Sequence, residues 1–131
     1  MAVMDASVAL EMLLRTSLGL EALDWIVRNA EPMDAPHLID LEVMYALRRL
    51  LHKRELTEEE AKFAVENLAQ LQINRHGHIL LLPRIWNLRE SVAAYDASYV
   101  ALAESLDTPL FTCDAKLSRS QGHRAKIVLL S

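Results

Sequence analysis

The stretch that most constrains this chain runs from Ala94 to Leu117, AYDASYVALAESLDTPLFTCDAKL. Tyr99, Val100, Ala103 and Leu106 sit at offsets 0, 1, 4 and 7, one face of an amphipathic helix. Asp107-Thr108-Pro109 ends that helix, because proline cannot continue it and pushes the residue before it toward extended geometry. Leu110 to Cys113 then suits a short buried strand, aromatic and β-branched with no charge. Asp96 opens the helix and Asp114 closes the strand. In alternating α/β chains, the carboxyl edge of the sheet is where ligands bind. The next question is which other acids arrive at that edge.

The amino-terminal segment repeats the order. Ala2-Val3-Met4 is a short apolar strand ending at Asp5, with Ser7 as the expected cap of a helix from Val8 to about Leu14. Leu20, Leu23 and Val27 mark a second helix ending near Asn29, and Pro32 to Pro36 is a loop or very short strand. Ile39, Val43, Ala46, Leu47 and Leu50 form a helical stripe, with Glu42 off it on the side of Tyr45 and Arg49. Arg48, Arg49, His52, Lys53 and Arg54 collect at this helix's carboxyl end, where cations suit the helix dipole. Thr57 to Glu60 is a capping box, starting a helix that runs to about Leu71. Asn74 to His78 is expected as a loop, Ile79 to Leu82 as an apolar strand, and a helix through Trp86 and Leu88 leads back to Ala94. Lys126 to Leu130 is a last short strand. Strands alternating with helices imply a mainly parallel sheet covered on both faces.

At 131 residues and 52% apolar, the chain suits one domain with a sizeable core. Its longest run without Asp, Glu, Lys or Arg is eight residues, too short to span a bilayer. The amino terminus lacks the basic region of a secretory signal. A single cysteine rules out an internal disulfide, and the cytoplasm is the expected compartment. The net charge of −4 argues against a nucleic-acid binder unless carboxylates hold cations, and two divalent ions would cancel it.

Asp5, Glu42, Asp96 and Asp114 therefore stand out. Clustered carboxylates raise one another's pKa unless a cation compensates. Hard oxygen ligands with few histidines suit Mg²⁺ or Mn²⁺ rather than zinc, and such ions support water attack on a phosphodiester. Each acid also has a plainer role. Asp96 alone suits a helix cap, Asp114 can cap residues 115–118, and Glu42 can pair with Arg49. Spacing leaves both readings open.

The arrangement resembles the PIN-domain ribonucleases, and most closely the VapC-type toxins of toxin–antitoxin pairs. Val3 to Val8 is similar to the family's opening strand with its first acid, Asp5, and Ala35 to Arg49 to the second-acid helix, placing Glu42. Tyr95 to Ala103 is similar to the third-acid motif at Asp96, and Thr112-Cys113-Asp114 followed by Leu117 to the fourth. Cys113 departs from the family's usual small residue. The resemblance implies a single PIN domain over residues 1–131: an α/β, three-layer fold whose mostly parallel sheet of about four to five short strands is flanked by about seven helices.

It also implies a Mg²⁺- or Mn²⁺-dependent endoribonuclease acting as a toxin, with Asp5, Glu42, Asp96 and Asp114 both catalytic and metal-binding. Ser7 and Thr112 would support them by hydrogen bonding, and Arg48, Arg49 and Lys53 are candidate RNA contacts. Expected partners are the RNA substrate, a VapB-type antitoxin and a second copy of the chain, with no membrane. Leu13, Leu14, Leu51 and Leu56 are candidates for exposed interface residues, while Trp25 and Trp86 are expected in the core. Two rivals are a PIN-like module that binds RNA without cutting, which should have lost acids, and a phospho-receiver domain. The second fails on placement, since Asp5 has no acidic neighbour and Pro83 follows Ile79 to Leu82.

Overall fold

The structure, a computed structural model, describes residues 1–29 and 32–131. The elements run β1 (Ala2–Met4), α1 (Ala6–Leu13), α2 (Ser17–Asn29), β2 (Met33–Pro36), α3 (Leu38–His52), α4 (Glu58–Gln70) and β3 (Ile73–His76). After a 3₁₀ turn at Ile79–Leu81 come α5 (Leu82–Asn87), α6 (Ala94–Leu106), β4 (Leu110–Thr112), α7 (Ala115–Ser118) and β5 (Ile127–Leu129). The five strands form one sheet in the order β3-β2-β1-β4-β5, and all four pairings are parallel. The expected α/β architecture and sheet direction are therefore present.

The central strand β1 is fully buried, as a strand covered on both faces must be. On one face Trp25 of α2 meets Phe111 of β4 edge-on, their ring centroids 4.7 Å apart. On the other, α6 packs against β1, β2 and β4. All residues of α6 from Ala97 to Glu104 are buried, so the expected stripe is narrower than the apolar surface the helix presents. α1 and α2 cross so closely that a Cβ on Gly19 would stand 2.0 Å from the Glu11 carbonyl oxygen. Only glycine fits there.

Three expectations change. Residues 73–76 form edge strand β3, not a loop. It pairs with β2 from Met33↔Ile73 to Pro36↔His76. The polar side chains that suggested a loop have partners: Arg75 grips Asp40 through two nitrogens, and His76 Nε2 lies 2.7 Å from Asp34 Oδ1. Ile79 to Leu82, expected as a strand, is a 3₁₀ turn entering α5, whose first turn accommodates Pro83. Leu80 there is 93% exposed. Trp86, expected in the core, is 65% exposed and carries Arg89 over its ring at 4.4 Å.

The apolar surface also lies elsewhere than expected. Leu13 and Leu56 are buried and Leu14 and Leu51 half-buried, while Leu41, Tyr45, Ile79, Leu80 and Trp86 are exposed. Among the described residues no helix is long and apolar enough to cross a membrane.

Candidate active site

The sheet order reverses direction at β1 and β4, and their carboxyl ends lead directly into Asp5 and, after Cys113, Asp114. That crevice is the position at which open α/β sheets bind ligands. α3 brings Glu42 toward it and α6 brings Asp96.

Asp5, rather than Ser7, is the cap of α1. Its backbone is extended (φ −91°, ψ 177°), and its Oδ1 accepts from Ser7 N at 3.0 Å and Val8 N at 3.3 Å. A cap needs that extended backbone one residue before the helix, and Ser7 is already the second helical residue. The Ser7 hydroxyl instead donates to Asp5 Oδ1 and accepts from Cys113 N at 2.9 Å. Thr112 Oγ1 donates to Asp5 Oδ2 and accepts from Asp114 N at 3.0 Å. Two hydroxyls thus clamp Asp5 between the start of α1 and the end of β4.

Asp5 is buried, and that burial raises its carboxyl pKa despite the hydrogen bonds from Ser7, Thr112 and Val8 that oppose the shift. Burial likewise raises Asp96, with Asp5 and Asp114 adding repulsion and Lys116 partly offsetting it. Glu42 is raised first by burial and further by Asp96 and Asp5, while a hydrogen bond from Tyr99 works the other way. The four acids therefore share one electrostatic neighbourhood.

They do not share one point. Among the described residues no three His, Cys, Asp or Glu side chains are arranged to hold a single ion. Each acid nevertheless keeps ligating capacity. Asp5 Oδ2 has one donor, Glu42 has Tyr99 on Oε1, Asp114 has Lys116 N on Oδ1, and the Asp96 carboxylate accepts no hydrogen bond among the described residues. Asp96 is not a cap, since Ala93 holds that position, whereas Asp114 does cap α7. Glu42 takes its bond from Tyr99 rather than Arg49. Arg48, Arg49 and Lys53 are exposed along the carboxyl half of α3 and its end.

Tyr99 is the residue that sequence reasoning placed differently. It sits on the core-facing stripe and is buried, but its phenol reaches out of the core to donate to Glu42 Oε1 at 2.6 Å. Burial and the neighbouring Glu42 push its own pKa far up, so the phenol stays protonated and the donor is permanent. The available signal was a tyrosine, not a phenylalanine, three residues after Asp96 on a buried helix.

The PIN domain family matches residues 2–122 of this chain. Ribonuclease VapC1 of Mycobacterium tuberculosis is 45% identical over 98 residues, covering 74% of each chain. Ribonuclease VapC12 of the same organism is 35% identical over 131 residues, the whole of both. VapBC2 from Rickettsia felis, solved bound to a DNA fragment from its promoter, superimposes with a TM-score of 0.68 at 8% identity, covering 99% of this chain and 98% of that one. At that identity the likeness concerns the fold alone. With the domain matched nearly end to end and whole-length relatives above 30% identity, this chain belongs to the PIN domain family and, within it, to the VapC group.

Proposed function

We propose that the chain is a divalent-cation-dependent endoribonuclease, the toxin of a type II toxin–antitoxin pair, which hydrolyses RNA phosphodiesters with water. The observation that carries this reading is the set of four neighbouring carboxylates at the sheet's switch point, where Asp5 repels both Glu42 and Asp96, and Asp114 repels Asp96. Glu42, Asp96 and Asp114 each keep an oxygen without a hydrogen bond among the described residues. An all-carboxylate donor set fits a hard ion, and repulsion between the acids makes an added cation favourable. Asp5 and Asp96 would hold Mg²⁺ or Mn²⁺, with Glu42 and Asp114 completing the pocket directly or through water. A bound ion would supply polarisation of water and neutralisation of charge on the phosphate.

The chain's own residues prepare the site. Ser7 and Thr112 hold the Asp5 carboxylate in one orientation, and Tyr99 fixes Glu42 so that it is not free to rotate into solvent. Arg49 lies two turns along α3 from Glu42, roughly 10 Å along the helix axis. With Arg48 and Lys53 it forms a basic strip on which an RNA backbone would lie.

RNA incubated with the purified protein is expected to be cut in Mn²⁺ or Mg²⁺, to be left whole after chelation, and to be cut again when the ion is restored. Unchanged cutting in excess chelator would overturn the metal requirement. Absence of cutting with RNA still bound would leave a binding module.

The same reading gives the whole chain one domain, a cytoplasmic setting, a small antitoxin partner and a second copy of itself. The exposed apolar residues Leu41, Tyr45, Ile79, Leu80 and Trp86 support a protein interface. Sedimentation equilibrium at micromolar concentration is expected to read twice the monomer mass, with Leu80→Lys reverting it to one. A monomer in the wild type would count against the dimer.

A further inference from the structure

A cleft of about 480 Å³ opens beside the acids, and Asp96 is part of its wall. Lys116 and Arg119 also line it, both exposed and, among the described residues, neither within an ion pair. Val92 and Leu117, both buried, form its apolar floor. This size falls within the roughly 300–1,000 Å³ of small-ligand clefts.

The wall at residues 119–122 is held in place. Ser120 Oγ donates to Leu117 O at 2.6 Å and lies 2.8 Å from His123 Nε2. Gly122 has φ +85°, and a Cβ there would come within 2.7 Å of Ser91 Oγ, so the loop lies directly on Ser91. The result is a cleft whose lining joins buried apolar side chains, two cations and an acid of the candidate active site. That is the pattern of a nucleotide's parts: a base or ribose for the floor and a phosphate for the cations.

Resting on the nuclease reading above, we propose that this cleft seats the nucleotide next to the scissile phosphate, with Lys116 and Arg119 holding that nucleotide's own phosphate. Arg119 is the cleaner reporter, because Lys116 also acts electrostatically on Asp96. The cleft thereby sets where the strand lies relative to Asp96.

The test separates binding from cutting. A short single-stranded RNA is titrated into the full-length protein in chelator, read by fluorescence anisotropy at several salt concentrations, and its cleavage is measured separately in Mn²⁺. Arg119→Ala is expected to weaken binding about tenfold, and its log–log salt slope to fall by roughly 0.7, the release expected for one lost single-strand phosphate contact. Its cleavage should show raised KM with kcat nearly unchanged. Lys62→Ala, on exposed α4, should bind as wild type does.

A neutral methylphosphonate, moved one linkage at a time along the RNA, should weaken wild-type binding most at one linkage beside the cut. Arg119→Ala should be indifferent to it there. Wild-type affinity and slope in both Arg119→Ala and the Lys116→Ala/Arg119→Ala double variant would overturn the cleft while leaving the nuclease intact. Lost binding in these variants alongside a wild type that cuts nothing would instead sink the nuclease reading and keep the cleft as an RNA site.

Discussion

Asp96→Asn is expected to lose manganese-stimulated RNA cleavage by about a thousandfold or more, roughly 4 kcal/mol of barrier, with an unchanged circular dichroism spectrum. The fold should survive because the Asp96 carboxylate accepts no hydrogen bond among the described residues and caps nothing. Charge is what the substitution removes. Burial, then Asp5 and Asp114, hold the Asp96 pKa above its ordinary value. A carboxylate raised in this way binds its proton more tightly folded than unfolded, so ion-free stability falls as pH rises from about 4 through the raised folded value.

In chelator near neutral pH, Asp96→Asn should therefore melt higher than wild type, by roughly 3–5 °C for each kcal/mol relieved. Added Mg²⁺ should reverse the order, raising wild type much more than the variant. Undiminished cutting by the pure variant would remove Asp96 from the chemistry. A lower melting temperature in chelator would remove the repulsion argument.

Glu104→Ala should produce the largest loss of stability. This buried acid on α6 accepts from Arg84 Nε at 2.8 Å, from Arg84 Nη2 at 2.9 Å and from the Arg124 backbone at 2.9 Å. It ties α5, α6 and the approach to β5 together. Removing one partner of a buried pair costs about 3–5 kcal/mol, and the lower figure applies because Arg84 is partly exposed. A fall of roughly 10 °C in Tm is expected.

The hydrogen bond from Arg84 lowers the Glu104 pKa first, against a smaller opposing effect of burial. Its contribution is therefore fully present above the ordinary carboxylate pKa and fades as pH drops through the lowered value. The gap between wild type and variant should narrow below about pH 4. A Tm within 2 °C of wild type at pH 7, on the order of half a kcal/mol, would show that the pair contributes little.

These two acids also mark how far residue reasoning reaches. Asp5 and Asp114 could be placed because each follows a short uncharged run bounded by turn or chain-end signals, the mark of a buried strand, so the acid falls at its carboxyl end. Glu104 could not, since it lies within a helix whose whole circumference is buried and its partner comes from another helix. Edge strand β3 was hidden because its polar residues pair with β2 and α3, partners that only tertiary structure supplies. The run Ile79 to Leu82 misled in the opposite sense. Ile79, Leu80 and Leu82 are apolar yet exposed, and periodicity cannot tell an exposed apolar turn from a core strand. Tyr99 combined both difficulties, its ring belonging to the core and its hydroxyl to the acids.

The middle position of β1 has a consequence for biosynthesis. Val3 N donates to Pro109 O at 2.9 Å, joining parts of the chain separated by more than a hundred residues. A growing polypeptide on the ribosome holds Asp5 from the start but cannot bring Asp96 or Asp114 beside it until α6 and β4 have emerged, and such distant pairings form late and slowly. The carboxylates at the sheet's carboxyl edge thus come together only when nearly the whole chain has been made and the centre of the sheet closes.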